Sequence, residues 1–323
     1  MKKQKQIYKT YIMKTFEVTS VNISEKKGTI KVPVEDIELT DIGIPNDAHS
    51  GPWHRQVSML GAESIRKFSK DASREIVAGE FAENITTEGM ELYKTAPLDR
   101  FISGDLELMV TQIGKKCHGD GCAIFEEIGN CVMPKEGIFV QVIKGGKLKA
   151  NTTFEYHPRV LKILIVTLSD RASKGVYEDK SGPFVRKMTE EYLLKKHRHF
   201  DFETHVIPDD ARMLEEVVGN AVQREFDIIF TTGGTGIGKR DITVDVIQPM
   251  LDKEITGIME LIRVKYGMKK PNALISRAVA GTIQDTLVYT LPGSVKAVKE
   301  YLDEILPTVE HSIYMMNGLD LHG

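Results

Sequence analysis

Long apolar runs are missing from this chain, and so is any strong excess of charge. No stretch reaches the ~18 consecutive apolar residues of a membrane-crossing helix, which sets aside a helical integral membrane protein. The net charge is only −3, so composition carries no electrostatic footprint for nucleic acid. Cysteine is scarce, with three in 323 residues. An odd number without an export signal argues against a disulfide framework and for a reducing, cytoplasmic setting. The basic opening stretch MKKQKQIYKTYIMKTF has no apolar segment behind it. It reads as a tail over residues 1–14 rather than a secretory signal, with Met13 an alternative start.

What is present falls into two rhythms. The length predicts two domains of roughly 150 residues each, large enough to bury their own cores. Up to about residue 150, short alternating runs (TFEVTSVNI, GTIKVPV, DLELMV, GIFVQVI) are bounded by Gly, Pro, Asn and Asp, with one helix around Ala62 to Phe68. This pattern predicts a β-rich barrel or sandwich over 15–150. The polar segment NTTFEYHP, 151–158, reads as the linker.

From 159 to 323 strands and helices alternate. LKILIVTLSD is continuously apolar and β-branched, as a strand buried on both faces must be. A helix from Ser181 follows, with Phe184, Val185, Met188 and Tyr192 on one side. The strand FETHVI precedes a helix striped by Leu214, Val217, Val218, Ala221 and Val222. DIIFTT and TLVYTL supply further strands, and a last helix turns Val298, Leu302, Ile305 and Val309 inward. The expectation is an α/β domain with a mostly parallel sheet flanked by helices.

The most informative segment is TTGGTGIGKRDIT, Thr231 to Thr243. It follows a buried strand and opens a helix, so it lies at the carboxyl edge where open α/β sheets bind ligands. Its glycines let the backbone approach a ligand, and successive amides there can cradle phosphate. Three familiar loops fail at named residues. A phosphate-binding P-loop needs Ser or Thr where Arg240 stands. The dinucleotide fingerprints would need small residues at Lys239 or Asp241. A short-chain dehydrogenase pattern, with Tyr266 and Lys270 downstream, is one residue short and follows the wrong strand.

An aspartate beside a phosphate nest is unfavourable unless a cation joins them, and magnesium typically takes one or two carboxylates plus substrate phosphates. Asp209, after Pro208 at the end of a neighbouring strand, offers a second carboxylate beside Asp241. The other reading of both is a helix-start aspartate held by backbone amides. Asp210 is the plainer helix cap.

SDRASKGVYEDKSGP, VIPDD, TTGGTGIGKRDIT, ISRAVAG and LPGS, in that order, resemble the MogA/MoaB family of molybdopterin-binding proteins along the whole second half. The resemblance implies a cytoplasmic enzyme, commonly a trimer, that uses MgATP to attach AMP to the terminal phosphate of molybdopterin before metal insertion. A molybdenum-insertion enzyme is then a further expected partner. It also implies catalytic, metal-binding carboxylates at Asp209 and Asp241. The pterin-phosphate loop falls at Thr232, Gly233, Gly234, Thr235 and Gly236, with Thr243, Ser276, Pro292, Gly293 and Ser294 nearby. Asp170 and Arg171 are expected to shape the pocket or pair with each other. A non-catalytic pterin-binding protein is the alternative within the same family.

In the first half, HSGPWHRQV, GEFAENITTEG and the segment Gly114 to Gly146 resemble the MOSC domain. That implies a barrel that binds molybdenum cofactor or carries sulfur on a cysteine. Cys117 is the expected residue, because Lys115 and Lys116 would favour its thiolate, with Cys131 second. His49, Trp53 and His54 are candidates for the same pocket. Cys117, His118, Cys122 and Cys131 lack the paired spacing of common structural zinc sites.

Overall fold

The computed structural model describes residues 14–116 other than 28, and 131–319. Two compact units divide between Arg159 and Val160. Among the described residues no helix is long and apolar enough to cross a membrane.

The first unit is a closed β-barrel. Its strands are β1 (Lys14–Ile23), β2 (Val32–Val34), β3 (Asp36–Leu39), β4 (Val57–Gly61), β5 (Ile85–Glu88), β6 (Arg100–Ser103), β7 (Leu106–Ile113), β8 (Ile138–Lys144), β9 (Gly146–Lys149) and β10 (Thr153–His157). The order β10-β6-β7-β8-β4-β5-β1 closes through pairing of β10 with β1, while β2 extends β1 and β3 pairs with β9. Among the described strands of the barrel only β4 and β5 pair in parallel. Alternation drives this: Phe16 and Val18 of β1 face inward while Thr15 and Glu17 face out. Phe16 stacks on Phe154 and meets Phe101 edge-on, at 5.7 and 4.9 Å between ring centres. Helix α1 (Ala62–Ala72) and the short α2 (Met133–Glu136) lie outside the barrel strands.

The linker expected at 151–158 is a strand over most of its length. Thr153–His157 form β10, with Phe154 and Tyr156 buried and Thr153 and Glu155 exposed. This is a period-two pattern that the terminal proline masked.

The second unit carries α3 (Asp170–Ser173), α4 (Ser181–Lys195), α5 (Ala211–Gln223), α6 (Thr243–Ile247), α7 (Thr256–Gly267) and α8 (Val295–Met316). Its strands are β11 (Val160–Leu168), β12 (His199–Ile207), β13 (Ile228–Thr232), β14 (Lys253–Glu254), β15 (Ala280–Ile283) and β16 (Thr286–Leu291), in the order β12-β11-β13-β16-β15-β14. The sheet is mixed, so the mostly parallel expectation holds for one part of it and not for the other. β12, β11, β13 and β16 are parallel, but β15 and β14 run antiparallel. The cause is local. Ile283 pairs with Thr286 across Gln284-Asp285, a turn too short for a parallel crossover, with Gln284 at φ +50°.

The inward stripe of α4 is also rotated from the expected one. Val185, Thr189 and Leu193 are buried, while Phe184, Met188 and Tyr192 are half-buried. The stripes of α5 and α8 are as read from the sequence, except that Val217 is half-buried.

Candidate active site

Parallel strands end side by side, and that places the chemistry. β11 and β12 run in register from Val160 with His199 to Leu168 with Ile207, and β13 lies on the other side of β11. The residues just past these ends, Ser169–Arg171, Asp209 and the loop after Thr232, therefore meet at one edge. They line a cavity of about 380 Å³, bounded by Leu168, Ser169, Asp170, Arg171, Asp209, Gly234, Arg240 and Asp241. Asp209 and Asp241 thus face one pocket.

The glycine loop forms the floor. Gly233 and Gly234 have φ of +103° and +65°, in the left-handed region that side chains disfavour. A Cβ would stand 2.5 Å from Leu168 O at Gly233 and 2.5 Å from Thr243 Oγ1 at Gly234. Thr243 Oγ1 donates to Gly233 O at 2.7 Å, and Thr243 N donates to Gly234 O at 3.1 Å. Helix α6 is thereby tied beneath the loop. On the β16 side, Thr232 Oγ1 donates to Pro292 O at 2.8 Å and Gly233 N to Leu291 O at 2.9 Å. Gly293 packs against Gly233, where an added Cβ would stand at an ordinary contact distance of 3.5 Å from Gly233 Cα. Ser294 caps α8 by accepting from Ala297 N.

Of the residues expected around the pterin phosphate only Gly234 lines the cavity itself, and Thr232, Gly233, Thr243, Pro292 and Gly293 support it from behind. Ser276 is turned towards the last helix, its hydroxyl accepting from Tyr301 OH at 2.8 Å.

Each carboxylate has a defined partner. Asp170 Oδ1 accepts from the Asp209 backbone N–H at 3.1 Å. Arg240 Nη2 donates to Asp170 Oδ2, and to Asp209 Oδ2 at 2.9 Å. Asp241 Oδ2 accepts from Gly238 N at 2.8 Å. Asp210, not Asp209, caps α5 through Met213 N. Asp170 and Arg171 both line the pocket without pairing: Arg171 lies over the Tyr177 ring at 5.1 Å.

Sequence reasoning missed Arg277. Its backbone N donates to Thr235 O at 2.9 Å, its Nε to Gly236 O at 3.0 Å and its Nη2 to Asp241 O at 3.2 Å. It therefore pins both shoulders of the glycine loop. ISRAVAG drew attention to Ser276, one residue away, and only the fold shows which neighbour reaches the loop.

Among the described residues no group of three or more His, Cys, Asp or Glu side chains is gathered as a metal site. The donor chemistry nevertheless suits magnesium, a hard cation that takes one or two carboxylates and completes its shell with phosphate and water oxygens. The guanidinium of Arg240, between Asp170 and Asp209, marks where positive charge is stabilised.

In the barrel, Cys117, His118 and Cys122 lie outside the described residues; Cys131 is half-buried beside Val132 and Met133. A buried Lys31–Asp47 ion pair has side chains 0% and 1% exposed. Burial pushes the Asp47 carboxyl up, but bonds from His49 and Lys31 outweigh it and hold it well below the usual carboxylate range. His49 Nδ1 lies 3.6 Å from Asp47 Oδ1, and Trp53 Nε1 donates to His49 O at 2.8 Å. Arg55 covers the half-buried Trp53 ring at 4.8 Å. His54 is buried and bonded to Gln112 at 2.9 Å.

Comparison with known proteins agrees with this division. A family model described as a probable molybdopterin binding domain matches residues 164–311, and a MOSC domain model matches residues 46–153. The chain is 32% identical over 161 residues to a molybdopterin adenylyltransferase of Helicobacter pylori, covering 50% of this chain and 90% of that protein. It is 35% identical over 160 residues to a gephyrin of Dictyostelium discoideum, of which it spans only 22%. A solved structure described as tungsten cofactor synthesizing protein MoaB from Pyrococcus furiosus is similar at 35% identity. That likeness covers 49% of this chain and 98% of the other, with a TM-score of 0.44.

Proposed function

We propose, from the premise that this chain belongs to the MogA/MoaB family of molybdopterin-binding proteins and carries a MOSC domain ahead of it, that it acts in molybdenum-cofactor biosynthesis as a molybdopterin adenylyltransferase. The observation that carries the reading is the shared cavity: Asp209, Asp241, Arg240 and Gly234 line one space at the carboxyl edge of the sheet.

The reaction suits these residues. A phosphate oxygen of the pterin attacks the α-phosphorus of ATP; a new P–O bond forms, the bond to the β-phosphate bridging oxygen breaks, and pyrophosphate departs. The attacking phosphate is already anionic at neutral pH, so no general base is required. Positioning and charge neutralisation then carry the rate. In the Thr232–Gly236 loop, where Gly233 N is already committed to Leu291 O, the amides of Gly234, Thr235 and Gly236 hold the pterin phosphate. Asp209 and Asp241 would hold magnesium, which would supply positive charge to offset the triphosphate. Asp170 orients Asp209 through its backbone N–H, and Arg277 keeps Asp241 in place.

The barrel is proposed to bind the cofactor or carry sulfur on Cys117. Lys115 and Lys116 directly precede Cys117 in the sequence, and positive charge beside a cysteine favours its thiolate.

The test is pyrophosphate release by the full chain from MgATP, with and without molybdopterin. Release that needs the pterin and is lost in Asp241→Asn is the expected result. Tight pterin binding without release would identify a carrier instead.

A further inference from the structure

Arg240 stands on the ground that a cation needs. One guanidinium nitrogen donates to both Asp170 Oδ2 and Asp209 Oδ2. The other oxygen of Asp170 accepts the Asp209 backbone N–H. Two carboxylates at the ends of adjacent strands are thus drawn around a single positive group, which offsets their mutual repulsion. Arg240 is also the member of the trio best placed to leave. Its side chain is 66% exposed, against 31% for Asp170 and 15% for Asp209. Among the described residues its guanidinium has no hydrogen-bond partner other than these two aspartates, whereas its neighbour Asp241 is anchored to Gly238.

We propose that Arg240 is a built-in counter-ion which holds the empty site and changes partners when nucleotide arrives. The divalent cation then replaces the guanidinium as counter-charge, ligated by Asp209 with Asp241 and facing the negative charge of Asp170, and the freed guanidinium moves to the phosphate oxygens. This rests on the cavity being a nucleotide site, and it adds Asp170 as a carboxylate that no motif assigned.

The exchange has a physical logic. A cation arriving alone must displace an arginine that has nowhere better to go. A cation arriving with a polyphosphate brings the arginine a stronger, geometrically matched acceptor. The two ligands therefore bind with positive coupling, and that coupling is reciprocal. A site wired in this way does not fill with cation in the absence of substrate.

The test uses Mn²⁺ alone as probe, with the full chain, followed by electron paramagnetic resonance at low salt. Removing one positive charge at contact distance in Arg240→Gln is expected to tighten Mn²⁺ binding about tenfold over wild type. Wild type is expected to reach that affinity only when ATP is added. In Arg240→Gln/Asp170→Asn the gain is expected to vanish. Mn²⁺ binding by Arg240→Gln no tighter than wild type would overturn the proposal, as would a gain that survives loss of Asp170. The adenylylation reading fails separately. If Arg240→Gln tightens Mn²⁺ binding while wild type releases no pyrophosphate, the counter-ion role stands and the reaction falls. If Mn²⁺ affinity is unchanged while release is normal, only the counter-ion role is lost.

Discussion

Arg277 grips Asp245 through both terminal nitrogens of its guanidinium, at 2.8 Å each. The bonds raise Arg277 further above its already high value and lower Asp245, so the pair is charged across the working pH range. This planar fork leaves Nε for Gly236 O, and lysine cannot reproduce it. Misplacing a catalytic loop by about an ångström costs roughly a hundredfold in rate. Arg277→Ala is therefore expected to lower kcat/KM for pyrophosphate release on that order, with Arg277→Lys restoring little. Full rescue by lysine would show that charge, not the fork, matters.

Gly234 tests the floor of the cavity. Gly234→Ala imposes a left-handed alanine and a 2.5 Å approach to Thr243 Oγ1. The backbone term alone costs about 1–2 kcal/mol. The variant is expected to unfold at lower urea by circular dichroism and to bind molybdopterin more weakly. Adding Thr243→Ala removes the clash but not the backbone strain, so recovery should be partial. No change in either measurement would mean that the loop has another conformation.

The buried pair in the barrel makes a prediction independent of catalysis. Removing one partner strands the other charge away from water, which costs about 3–5 kcal/mol. Lys31→Met is expected to lower the urea midpoint of the barrel accordingly, followed by fluorescence of Trp53, the one tryptophan in the chain. Lys31→Met/Asp47→Asn, with no stranded charge, should regain part of the loss. A double variant as unstable as the single one would contradict this account.

Acid sensitivity follows from Asp47. Its folded value lies below the ordinary 3.8, so the unfolded chain binds the proton first as pH falls. The stabilisation is fully present above 3.8 and is lost as pH drops towards the folded value. Glu83, raised by burial, works in the opposite sense. The difference between wild type and Asp47→Asn isolates the Asp47 contribution. That difference in Trp53 transition midpoint should be constant near neutral pH and shrink below 3.8. A difference that is unchanged in acid would show Asp47 to be unshifted.

Much of the fold was legible where burial is continuous. β11, β13 and β16 are apolar runs with little polar interruption, and α5 and α8 carry clear stripes. β14 and β15 were not legible. β14 spans only Lys253–Glu254, and Gly281 of β15 is there because a Cβ would strike Lys253 O at 2.3 Å. The closing strand β10 was hidden among polar residues and a proline. That Asp209, Gly234 and Asp241 share one cavity was readable because neighbouring parallel strands end side by side. The pairing of Arg240 with Asp170, 70 residues apart, is set by strand order and has no local signature. Arg277 was missed for the same reason.

The central claim is that Asp209 and Asp241 serve one magnesium-dependent nucleotidyl transfer. Pyrophosphate release by the full chain, measured with molybdopterin and MgATP for wild type, Asp209→Asn and Asp241→Asn, addresses it most directly. The account predicts release that depends on both pterin and magnesium, and a fall of at least about a hundredfold in each variant. Release at the wild-type rate from either variant, or release indifferent to magnesium, would contradict it.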